Sequence, residues 1–71
     1  MGIESTATLY ALSIKGGYYD NFGGITELLT EAHLFLTRRE AIEFREKFDS
    51  SHRVDRSVLL QIIVFISEIE E

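Results

Sequence analysis

The chain has 71 residues, no cysteine, no proline and a net charge of −5. One domain of this length has a small core and is marginally stable unaided, and the lack of cysteine removes disulfides and the commonest structural zinc sites. The acidic balance argues against direct duplex nucleic-acid binding, and a composition 45% hydrophobic argues against disorder.

Taken in order, Met1 to Ser5 reads as a frayed start with no exported-protein leader, so a cytoplasmic location is expected. Thr6 to Lys15 alternates, placing Tyr10, Leu12 and Ile14 on one face and Leu9, Ala11, Ser13 and Lys15 on the other. Gly16-Gly17 offers the positive φ angles of a two-residue hairpin turn, and Tyr18-Tyr19 begins the returning strand, which Asp20-Asn21 ends or bulges. After Gly23-Gly24 a short helical turn fits Glu27–Ala32, and Leu34-Phe35-Leu36 reads as briefly extended.

Thr37-Arg38-Arg39-Glu40 is a capping box opening the main helix. Ala41, Phe44 and Phe48 mark its buried stripe, with Ile42 at the edge, and Glu43 and Lys47 stand at ion-pair spacing. Asp49-Ser50-Ser51 stops it. The last long element, Val58 to Ile66, is rich in β-branched residues and reads as a strand apolar on both faces, the pattern of a strand buried on both sides. Leu59, Ile62, Ile63, Ile66 and Ile69 also fit helical spacing, but the run is too short to cross a bilayer. The expected fold is therefore α+β: a three-stranded antiparallel sheet in ββαβ order with one helix on one face. A single helix shields one side only, so a homodimer or a partner-binding surface is expected on the other.

Candidate chemistry is sparse. His33 and His52 lack metal-ligand spacing and read as surface histidines near Glu31 and Asp55. Glu40, Glu43 and Glu46 interleave with Arg38, Arg39, Arg45 and Lys47 as a solvated ion-pair face. No nucleophile motif or phosphate loop is present, so neither enzymatic activity nor a cofactor is expected. One or two of Tyr18, Tyr19 and Phe22 finish the core in the plainer reading, and the group anchors an interface in the sharper one, with base stacking a third option. Arg38, Arg39, Arg53 and Arg56 form an anion site only if the loop arginines meet the helix N-terminus; otherwise they are scattered surface charges. Glu68, Glu70 and Glu71 read as a solvated end in the plainer reading and, with Glu27 and Glu31, as a face for a basic partner in the sharper one.

Gly17-Tyr18-Tyr19-Asp20-Asn21-Phe22-Gly23-Gly24-Ile25-Thr26, with Glu31-Ala32-His33-Leu34-Phe35-Leu36-Thr37-Arg38-Arg39-Glu40-Ala41, resembles small proteins common in bacteriophages and prophages. In those, a displayed hairpin precedes such a helix start and a terminal strand. The resemblance implies a phage accessory protein acting in the bacterial cytoplasm, from a group that includes anti-CRISPR and other stoichiometric inhibitors of host defence. It brings no functional residues across.

The expected function is thus a non-enzymatic interaction module that occupies a host protein's surface, with its acids standing in for nucleic-acid phosphates. The alternatives are an oligomer sequestering an anionic nucleotide through Arg38, Arg39, Arg53 and Arg56, with Tyr18 or Tyr19 on the base, and a structural homo-oligomer.

Overall fold

The computed structural model describes residues 4–67 and Ile69. Strands β1 (Glu4–Ile14), β2 (Gly17–Tyr19), β3 (Ile25–Thr26) and β4 (Val58–Ser67) form one sheet in the order β3-β2-β1-β4. Every neighbouring pair is antiparallel. One helix, α1 (Arg38–Phe48), packs against β1, and single 3₁₀ turns occupy Leu29–Glu31 and Asp49–His52. The α+β class, the antiparallel sheet and the single helix agree with the sequence. The expected three strands are corrected to four, because Ile25 and Thr26 pair with Tyr19 and Tyr18. The frayed start is also corrected: Glu4 and Ser5 already pair with β4, while residues 1–3 lie outside the described residues.

The β1–β2 turn sits one residue earlier than Gly16-Gly17. Lys15 and Gly16 take φ of 49° and 80°, and Ile14 pairs with Gly17. Two central residues with positive φ suit the twist of a two-residue hairpin. Gly17 is needed for a different reason, since a Cβ there would lie 2.5 Å from the Thr26 carbonyl oxygen. Asp20 then shapes the next turn, its Oδ1 accepting from the Phe22 and Gly24 backbone N–H groups.

The helix starts where the capping box places it. Thr37 Oγ1 accepts from the Glu40 N–H at 3.2 Å, which satisfies one of the free donors of the first turn. The i,i+4 pair that forms is Arg39–Glu43 at 3.4 Å, in place of Glu43–Lys47, and both partners are well exposed. Such a pair contributes little, because solvent screens it. The expected stop at Asp49–Ser51 becomes a tightened 3₁₀ turn that ends at Arg53, whose φ of 57° is left-handed.

The core is Leu12, Ile14, Tyr19, Phe35 and Ala41, with Tyr10, Phe44, Phe48, Val54 and Leu59 around it. Ala41 is fully buried, so the helix comes close to the sheet. Phe44 meets Tyr19 and Phe35 edge to face at 5.4 and 5.2 Å, the favoured aromatic geometry. Neither histidine pairs with an acid as expected. His33 stacks on Phe35 at 4.0 Å, and His52 Nε2–H donates to the Gly23 carbonyl at 2.7 Å.

Gly23 should be the least replaceable turn residue. Its φ is +80°, and an added Cβ would stand 2.5 Å from the Phe48 ring. Gly16 has the same φ with open space around it. Gly23→Ala should lose about 3 kcal/mol of unfolding free energy in urea titration and Gly16→Ala only about 1. Equal losses would show that the ring gives way freely.

Candidate interaction surface

A buried polar clamp launches β4. Asp49, the residue that follows α1, accepts from the Tyr19 hydroxyl at 2.6 Å through Oδ1 and from the Ser57 backbone N–H at 2.7 Å through Oδ2. Arg45, also buried, donates to the Ser57 carbonyl at 3.3 Å. Burial alone would raise the Asp49 pKa, but the Tyr19 and Ser57 donors and the nearby Arg45 charge outweigh it and hold the carboxyl below its ordinary value. Burial and the adjacent carboxylate push the Tyr19 phenol far above its usual range, so it remains the donor.

From Ser57 the chain runs into a ladder of ten pairs, Ser13–Val58 through Glu4–Ser67. Opposed residues of an antiparallel pair share a face. The helix side therefore carries Leu12 with Leu59, Tyr10 with Gln61, Thr8 with Ile63 and Thr6 with Phe65. The other side carries Ala11 with Leu60, Leu9 with Ile62, Ala7 with Val64 and Ser5 with Ile66. Phe35 pairs with Tyr10 through two backbone hydrogen bonds of 2.9 and 2.7 Å. Alternation then turns the exposed Leu34 and Leu36 towards the helix-free side.

The core reaches only the first pairs of this ladder. Beyond Tyr10 and Gln61 the two strands continue as a bare ribbon, with Ile63 57% and Phe65 82% exposed. The molecule measures 49 × 22 × 17 Å, with a radius of gyration of 14.2 Å. A compact chain of this length would have roughly 11 Å. The expected strand buried on both sides is thus corrected: β4 is an edge strand, half-buried or exposed along nearly its whole length. Its apolar character is real, and among the described residues the helix-free face stays open along β4, although Ala11 beside it on β1 is fully buried.

The residues proposed from sequence scatter. Tyr19 is corrected from surface anchor to core: it is fully buried under Phe44 and Phe48 and committed to Asp49. Tyr18 is half-buried, and Phe22 stands 90% exposed at the turn tip. Glu27 and Glu31 are exposed, and Glu31 accepts from the Thr26 hydroxyl at 3.2 Å; Glu68, Glu70 and Glu71 lie outside the described residues. The arginine site does not assemble. Arg38 and Arg39 open an 11-residue helix and Arg53 and Arg56 follow its far end, some ~16 Å along the axis. Arg56 instead borders a groove of about 400 Å³ shared with Arg45, Glu46, Asp49 and Asp55, whose acids offset its charge. A second groove of about 390 Å³ is lined by His33, Phe35, Glu40, Glu43, Phe44 and Lys47.

Sequence reasoning missed Arg45 and Asp49. Arg45 read as part of a solvated ion-pair face and Asp49 as part of the helix stop; the only local sign was Arg45 standing four residues after the buried Ala41.

Among the described residues there is no cluster of three metal-ligating side chains, and no helix long and apolar enough to cross a membrane. No protein-family model matches the chain, and neither a curated protein nor a solved structure matches it.

The clamp makes a signed prediction. A carboxylate whose folded pKa is depressed contributes its full stability above the ordinary value of 3.8 and loses it as the pH falls through the lower folded value. Unfolding free energy should therefore fall on acidification below about pH 4. Asp49→Asn should flatten that acid limb and cost about 2 kcal/mol at neutral pH. An unchanged acid limb in Asp49→Asn would place the titrating group elsewhere.

Proposed function

We propose that this chain is a non-enzymatic protein-interaction module whose working surface is the β1–β4 ribbon. The observation that carries the reading is the length of apolar strand projecting past the core. An isolated two-stranded ribbon is marginal in water, and contiguous exposed apolar surface of this extent marks a contact site. Clefts with convergent polar groups are the mark of small-molecule chemistry, and in the first groove Arg45 and Asp49 are already committed to the β4 clamp.

The phage-type resemblance adds a client. On that reading the module is a stoichiometric inhibitor that occupies a bacterial host protein, with exposed Glu27 and Glu31 available to a basic rim. Nucleotide sequestration loses its support with the separation of the arginines.

The test combines sedimentation with hydrogen exchange. At low concentration the ribbon amides, residues 4–9 and 62–67, should exchange far faster than those of the core, and companion binding should slow them. A chain that sediments as a monomer at ~1 mM, where contacts as weak as about 4 kcal/mol show, with ribbon amides already as slow as the core, would need no companion and end this reading.

A further inference from the structure

Resting on that reading, we propose that the companion on the helix-free face is a second copy of this chain, the two sheets stacked face to face about a two-fold axis. Three observations lead there. The face has one covering layer missing: α1 packs on the side of Leu12 and Leu59, and sheets are stable when both apolar faces are buried. The face is also large enough. Leu34, Leu36, Val58 and Ile66 are each 41–72% exposed. Taking roughly 200 Å² for a large apolar residue and adding their half-buried neighbours gives on the order of 600 Å² per copy. Two copies then bury ~1,200 Å², the lower bound of stable interfaces.

The third observation is charge. Each copy carries −5, yet every described side chain on this face is uncharged, from Ser5 and Ala7 through Leu9 and Ala11 to the β4 row. Juxtaposed like charges cost free energy, so an uncharged patch is the surface on which two copies of net negative charge meet with least repulsion. A two-fold contact brings the same patch together from both sides. Covering this face requires stacked sheets about 10 Å apart. Pairing β4 edge to edge would leave it bare.

An isologous contact puts the axis near the middle of the patch, at the Leu9–Ile62 pair. Sedimentation of single and mixed variants tests this, with urea unfolding to confirm a folded core. Ile62→Glu and Ile62→Lys should each sediment as monomers, and their equimolar mixture should regain the dimer. Thr8→Lys, on the opposite face of the same ribbon, should dimerise as the parent does. If either charged variant fails to fold, Ile62→Thr keeps a β-branched strand residue and should weaken dimerisation about tenfold or more. A parent that associates while Ile62 variants associate equally well overturns the face-to-face contact alone, as does a mixture that stays monomeric. Equal disruption by Thr8→Lys overturns it too. A parent that stays monomeric overturns the self-pairing, and if its ribbon amides are then as slow as those of the core the interaction reading falls with it.

Discussion

The Asp49 carboxylate, held between the Tyr19 hydroxyl and the Ser57 N–H, is the contact on which the rest of the architecture depends. It joins three elements distant in sequence: the β2 strand, the end of α1 and the entry to β4. Side chains alternate along a strand, so fixing Ser57 decides the face of every residue after it. Leu59 enters the core, and Leu60, Ile62, Val64 and Ile66 are committed to the far side. A slip of one residue would exchange the two sets.

The clamp also explains why a small core suffices to aim a long ribbon. Helix and sheet meet closely at Ala41, and the aromatic rings of Tyr19, Phe44 and Phe48 fill the space beside it. Past Tyr10 the β1–β4 ladder relies on its own backbone pairing. Stability therefore grades along the long axis, from the clamped end to the free end. The part rich in apolar surface is also the part with least internal support.

Much of this was legible in the sequence where local chemistry decides the outcome. The Thr37–Glu40 cap, the glycine hairpin and the β-branched run at Val58–Ile66 each specify local conformation, and each formed within a residue or so of its expected place. The apolar doubling of the last strand foretold an uncovered side. Long-range polar pairing was not legible. Asp49 looked like a helix terminator and Tyr19 like a displayed aromatic, because their pairing across 30 residues leaves no periodic trace. Arg45 was grouped with the charged residues around it, although its fourfold spacing from the buried Ala41 places it on the core side of the helix, where it reaches Ser57. The four arginines failed to converge because a straight 11-residue helix holds its two ends apart.

The position of β4 at the rim of the sheet has a consequence for the unassembled chain. From Val58 to Ser67 its outer backbone groups run without a proline or a charged side chain, the usual guards against strand-on-strand growth. Such a segment has the composition of a fibril-forming core. The chain therefore carries an open strand template along its rim, which stacking on a sheet face would not close.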